Sequence, residues 1–378
     1  MKLLSNKSLL IGLPISMILL TTSCKKDTVD PIELPEHTAE PAYIVPTTYD
    51  FANVNYTTST TRMAMLSEMT GYIRTTHTTT QTTQPTLNAQ KLKDMYANAA
   101  SQFTTTGLSS SGLQLKDQTS NVASLQTILE ASYDDAATTS AFAAATPTTQ
   151  SASSGVAGKL ISPTRAILVD ANGLEYKELT EKGLMGAVLY YQATTILTNI
   201  ATYDNTTLVG GTTVQEKAWD EAFGYFGVPI DFPTNVTGLK NWGSYCNSVN
   251  TAIGSNVTMM NAWLKGRAAI TNKDNTARDE ARTTVINTWE RFVAAKCIAY
   301  MKGAKSNFAQ DADRHHNLSE GIGFINAFAY NPSKTITNAQ IAQLQGYFST
   351  NLYNVTVADM DNVINTLATI FNLDPATL

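Results

Sequence analysis

The chain has 378 residues, 26 basic against 31 acidic side chains and a formal charge of −5, and 43% of its residues are hydrophobic. A mildly acidic balance with no basic stretch interleaved with aromatics excludes nucleic acid as a partner, because neutralising phosphates needs clustered Lys and Arg. That much apolar sequence fills one large domain or two packed bundles.

The N-terminus reads as an export signal. Lys2 and Lys7 precede an apolar run from Leu9 to Leu20, and Thr21-Thr22-Ser23 stand directly before Cys24. The run falls short of the ~20 residues that a spanning helix needs, so residues 1–23 are expected to be a cleaved signal and not a retained anchor. Leu20-Thr21-Thr22-Ser23-Cys24 also resembles a loose bacterial lipobox. Lipid on Cys24 would then tether the protein to a membrane, which makes a cell-envelope, outer-membrane lipoprotein the expectation. Residues 24–45, with Lys25-Lys26-Asp27 and a Pro-rich tract, read as a spacer, and the domain proper is expected over 46–378. Losing Lys2 and Lys7 with the signal lowers the formal charge from −5 to −7. Cys246 and Cys297 remain; a disulfide between them and two buried thiols are both open.

From there the chain reads as helix after helix. Residues 59–74 carry Met65, Met69, Tyr72 and Ile73 at helical spacing, although 13 of the 30 residues from 57 to 86 are Thr. Further helices are expected over 88–99 and 118–138, followed by a long Ala/Ser/Thr/Gly loop over 138–158. The next helix, 174–203, buries Met185, Val188, Leu189, Ile196 and Ile200, with Lys182 and Gln192 on nearly the same face. Glu178 lies one turn from Lys182, so the two read either as an intrahelical ion pair or, with Gln192, as part of a polar seam between bundles.

The stretch Trp219-Asp220-Glu221-Ala222-Phe223-Gly224-Tyr225-Phe226-Gly227 sets two acids beside an aromatic face. Lys217 can pair with Glu221 as solvated charge, or the acids can face a ligand. Residues 231–239 read as a loop, and helices follow over 240–253, 257–272 and 276–302. In residues 311–330, DADRHHNLSEGIGFINAFAY, His316 and Glu320 are one turn apart and can share a ligand, whereas His315 leans toward Leu318 and Ile322. Thr337-Asn338-Ala339-Gln340 is a capping-box signature, and residues 357–371 place Met360, Val363, Ile364, Leu367, Ile370 and Phe371 on the 3.6 period. About ten helices and no convincing strand give an all-α bundle architecture.

The segments EKGLMGAVLYYQA, WDEAFGYFGVP, NAWLKGRAAI and RHHNLSEGIGF, behind the Met1–Cys24 leader, resemble the imelysin-like superfamily of bacterial envelope lipoproteins over residues 46–375. Within it the likeness is greatest to a large uncharacterised lipoprotein family. The resemblance implies two packed helical bundles about a pseudo-twofold, with an approximate break at 204–238 and a Gly-x-His-x-x-Glu motif near the bundle interface. It also implies links to peptidase activity and to iron or haem uptake. Only His316 and Glu320 match that motif: Arg314 stands at the Gly position, and the acid follows His316 by four residues instead of three.

Two functional classes follow. The first is a binding lipoprotein whose cleft, lined by Lys182, Gln192, Trp219, Asp220 and Glu221, takes a metal, haem or a partner from the iron-uptake or envelope proteins, with His316 and Glu320 on a divalent metal or iron. The second is a metal-dependent peptidase, with Asp220 or Glu221 supplying a further ligand or general base. A purely structural or interaction lipoprotein is the remaining alternative. No His-Glu-x-x-His, Gly-x-Ser-x-Gly or phosphate-cradling glycine loop is present. If the aromatic stretch and the histidine helix share one site, their helices must cross at Gly224, Gly321 or Gly323, with Asp220 or Glu221 raising the His316 pKa.

Overall fold

The computed structural model describes residues 42–78, 85–120, 124–144 and 151–378. The expected signal, Cys24 and nearly all of the spacer lie outside the described residues. The Thr-rich opening is helical: α1 (Thr57–Arg74) buries Met63, Leu66, Met69 and Ile73 along one stripe. Burial of that stripe outweighs the β propensity of threonine. α2 (Ala89–Ala97) starts at Asn88, whose side chain accepts from the Lys91 backbone N–H, and stops at Asn98 in the left-handed conformation.

α3 (Leu125–Ala144) runs past residue 138, where the long loop was expected to begin. The Ala-rich sequence continues the helix at little side-chain entropy cost. The all-α architecture holds, with one small sheet beside the helices. β1 (Gly158–Ile161) and β2 (Ala166–Val169) form a two-stranded antiparallel hairpin, pairing Gly158 with Val169 and Ile161 with Ala166. Each strand is four residues long, too short for periodicity to distinguish strand from helix.

The expected helix over 174–203 is three pieces: α4 (Tyr176–Leu184), a π-helical stretch (Met185–Tyr190) and α5 (Tyr191–Thr198). The wider turn shifts the angular phase of α5 relative to α4. The chain continues with α6 (Val214–Phe226), α7 (Asn241–Ser248), α8 (Asn250–Ile253), α9 (Ser255–Thr271), α10 (Asn275–Ser306), α11 (Asp311–Phe328), α12 (Asn338–Gly346) and α13 (Val357–Phe371). Capping boxes start α12 at Thr337 and α13 at Thr356. α13 spans the residues its periodicity predicts, and Leu367 is fully buried.

The 32-residue α10 is the central rod, flanked by α9, α11 and α13. Trp219, Trp242, Trp263 and Trp289 are all at most 1% exposed and meet at or beside it. Segment 204–238 is no break in this packing, because α6 lies within it and places Trp219, Phe223 and Phe226 in the same continuous core that runs from Tyr49 to Leu373. Cys246 and Cys297 are free, buried thiols and form no disulfide. Among the described residues no helix is long and apolar enough to cross a membrane.

Candidate metal centre

The site is built where α11 lies along α4, from His316 beside Glu175 to Gly323 beside the last turn of α4. Gly323 permits the close approach: a Cβ added there would lie 2.4 Å from Lys182 Cβ. His315 and His316 then take different roles, being about 100° apart on the helix. His315 is fully buried, its Nδ1 2.9 Å from the Gly173 carbonyl oxygen and its ring 4.2 Å from that of Tyr353, so it anchors the turn before α4.

His316 points at α4 itself. Its Nδ1 lies 2.8 Å from Glu175 Oε2 and 3.6 Å from Glu178 Oε1, while Nε2 lies 3.4 Å from Glu320 Oε2. Glu175 is the N-cap residue of α4, in extended conformation, and its backbone N–H donates to Ser319 Oγ at 3.0 Å. Glu175 and Glu178 are both completely buried.

Two lysines enter the same cluster. Lys182 Nζ lies 2.9 Å from Glu178, 3.1 Å from Glu320 and 3.3 Å from Glu181, and Lys177 Nζ lies 2.6 Å from Glu178 and 2.5 Å from Glu181. The intrahelical Lys182–Glu178 pair is therefore present, extended by Glu320. Four carboxylates face two ammonium groups, and Arg74, whose side chain is 62% exposed, adds only a 3.9 Å contact to Glu181. These groups wall a cavity of about 320 Å³, with His77, Arg165 and Tyr245 completing it.

Uncompensated negative charge sets the titration. Burial would lower the His316 pKa, but Glu175, Glu320 and Glu178 overcome it and hold the imidazole above its ordinary value of 6.5. Burial, then the adjacent Glu178, raises the Glu175 carboxyl. Burial also opposes ionisation of Glu178, yet Lys182 and Lys177 keep it far below the usual carboxylate range, and Lys182 and Lys177 likewise lower Glu181. Burial and the nearby Lys177 push His77 down to about 3.

One ligand atom each from Glu175, Glu178 and His316 lie within 4.8 Å of one another. Bonds of about 2.1 Å to a single ion fit such a triad after the Glu175–His316 contact opens slightly. Glu175 and Glu178 meet Nδ1 of the imidazole, and Glu320, the expected partner of His316 in a chelate, lies 3.4 Å from Nε2, the other ring nitrogen.

The other expected site residues lie elsewhere. Asp220 Oδ1 accepts from Arg267 Nε at 2.9 Å and from the Tyr49 hydroxyl at 2.9 Å, and Glu221 pairs with Arg62 at 3.5 Å. Trp219 Nε1 donates to the Trp263 carbonyl at 3.1 Å inside the core. Gln192 donates to the Gln118 carbonyl at 2.8 Å, because the π-helical stretch carries α5 out of phase with Lys182. Gly224 meets Ser59 of α1, and Gly321 meets Met301 of α10, so neither brings α6 against α11. Of the expected set only Lys182, His316 and Glu320 converge. Glu175, His77 and the ligand role of Glu178 were not foreseen; the Glu175-x-x-Glu178 spacing was visible, but its approach to a histidine 141 residues away was not.

Residues 46–373 match the family described as "Domain of unknown function (DUF4856)", and the chain belongs to that family. Neither curated proteins nor solved structures yield a match.

Proposed function

We propose that the chain is a divalent-metal-binding protein of the cell envelope, tethered to the outer membrane by lipid on Cys24 and serving metal acquisition, iron being the favoured ion. The convergence of Glu175, Glu178 and His316 on one point carries this reading. Two oxygens and an imidazole nitrogen suit Fe²⁺, Zn²⁺ or Mn²⁺. Charge supports it as well: with Arg165 committed to Asp313, the four acids Glu175, Glu178, Glu181 and Glu320 outnumber Lys177, Lys182 and the mostly exposed Arg74, which leaves net negative charge for a cation to offset. A small, polar cavity favours an ion over haem, whose porphyrin needs an apolar slot. The imelysin-like relationship remains part of this proposal, through the leader and the histidine helix.

The peptidase alternative gains from Glu175 the third ligand it requires. Against it, Glu320 is held by both Lys182 and His316, Glu181 is held by Lys177 and Lys182, and Asp220 and Glu221 pair with Arg267 and Arg62, so among the described residues no carboxylate of the cavity outside the triad stands free as a general base. The test is metal content and titration of the purified protein beside His316→Ala and Glu175→Gln. One equivalent of divalent ion in the native protein, lost in both variants while their melting temperatures persist, is the expected result; equal binding in all three overturns the reading. Chelator-sensitive casein cleavage would favour the peptidase. Cys24→Ala should leave the membrane fraction, and a variant that still pellets after a high-salt wash removes the lipid anchor from the proposal.

A further inference from the structure

The cavity is larger than its ion needs. At ~30 Å³ per water, a volume of about 320 Å³ holds roughly ten waters, whereas three protein ligands leave only one to three coordination positions open. Two groups beside the triad are also unspent. His77 Nε2 is buried and has no hydrogen-bond partner among the described residues, and the same holds for Oε1 of Glu175, a fully buried side chain. They face each other at 3.7 Å, too far for a hydrogen bond. A nitrogen lone pair aimed at a carboxylate oxygen would be repelled, so the proton sits on Nε2, and His77 presents an unused N–H donor.

Arg74 is the second group. It belongs to the last turn of α1, one turn before His77, and among the described residues its sole ion pair is the 3.9 Å contact to Glu181. Arg165, also on the wall, is committed to Asp313 at 3.1 Å. The acids lie deep on α4 and α11, and the free donors lie together at the end of α1. A dication on the triad cancels the excess negative charge behind those donors, so the loaded cavity favours an anion there.

We propose that the metal-loaded cavity takes a small dicarboxylate as its second ligand, one carboxylate on the ion and the other accepting from the Arg74 guanidinium and the His77 Nε2–H. A guanidinium donates two parallel N–H···O bonds to a carboxylate or a phosphate alike, so a dicarboxylate supplies one acid group for the ion and one for the fork, and phosphate is the competitor that the experiment separates. This assignment rests on the metal reading above and names what the metal is bound with. It makes metal and anion mutually reinforcing ligands, since each supplies a contact the other lacks.

The experiment is a Mn²⁺ titration by calorimetry in a non-coordinating buffer, alone and with excess succinate, a weak solution chelator, and separately with inorganic phosphate. Succinate is expected to tighten Mn²⁺ binding by roughly 5- to 150-fold, the usual range of two-site coupling. Arg74→Gln and His77→Gln should still take up Mn²⁺ but lose that gain. With Co²⁺ in place of Mn²⁺, succinate should shift the visible absorption bands, as direct coordination requires. Equal Mn²⁺ affinity with and without succinate in the native protein overturns the proposal while leaving the metal reading intact. So does a gain that survives in both variants, and a gain from phosphate alone rejects the carboxylate. A native protein that binds no divalent ion at all rejects both.

Discussion

Two buried charge clusters among the described residues make a contrast, and the one at α4 and α11 surrounds a cavity. In the first, Arg267 reaches from α9 to α6, donating to Asp220 at 2.9 Å and to Glu216 at 2.9 Å, while Tyr49 and Thr271 add hydroxyls to the same carboxylates. Tyr49 also stacks on Phe223 at 3.7 Å, which ties residues near the start of the described chain to the core. One planar fork spans both acids, and a single carboxylate oxygen, Asp220 Oδ2, is left over. In the second cluster, two lysines are shared among four acids, holding Glu178 Oε2 at 2.9 Å and Glu181 Oε2 at 2.5 Å, and His77 Nε2 and Glu175 Oε1 lack hydrogen-bond partners among the described residues. Buried charge alone therefore does not mark a site. Spare polar atoms, an imidazole and open volume do, and those three coincide at α4 and α11.

The contrast can be broken most severely at the closed cluster. Arg267→Met should cost about 3–5 kcal/mol, because Asp220 and Glu216 would stay buried without their cation. Thermal or urea unfolding checks this, and a loss below about 1 kcal/mol would mean that the two acids find other partners. Gly323→Ala comes next. Its Cβ would meet Lys182 Cβ at 2.4 Å, so α11 must lift from α4, at about 1–3 kcal/mol and with weakened metal binding. A variant with native stability and native metal affinity would show that the crossing is looser than its geometry.

Glu320→Gln sharpens the open cluster. If Glu320 orients His316 without touching the ion, metal affinity should fall by about 10- to 100-fold and not vanish. Complete loss would restore Glu320 to the ligand set. The smallest expected effect is the pH dependence of the ion-free protein. Glu178 and Glu181 are held below 4.5 and contribute stability that is lost as pH falls through their lowered values. His316 is held above 6.5 and contributes stability that is lost as pH rises through its raised value. Metal affinity must run the other way on the alkaline side, tightening as His316 gives up its proton. Denaturant titrations with a chelator or with Mn²⁺, across that range, should diverge above pH 6.5; parallel curves would detach His316 from the ion.

Local rules made much of the fold legible. The α13 stripe, the Thr337 capping box and the helical face shared by His316 and Glu320 each depend on residues within two turns, which a sequence displays directly. What was hidden depends on distant or irregular backbone. The π-helical stretch at 185–190 has no residue signature, yet it decides that Gln192 and Lys182 part company. Glu175 sits just outside a helix, where face arguments do not apply, and meets His316 across 141 positions of chain. The aromatic stretch around Asp220 misled for a related reason: acids beside tryptophan read as a ligand cleft until a partner such as Arg267, 47 residues on, is placed against them.

The grip of α11 on the turn before α4 has a mechanical consequence. His315 bonds to the Gly173 carbonyl and Ser319 receives the Glu175 N–H, so the backbone on both sides of residue 174 is clamped to one helix. Glu175 is thus carried by α11 although it belongs to α4 in the chain. Glu175 and His316 are therefore set against each other by one clamped stretch of backbone, and the entropy of arranging that pair is spent during folding.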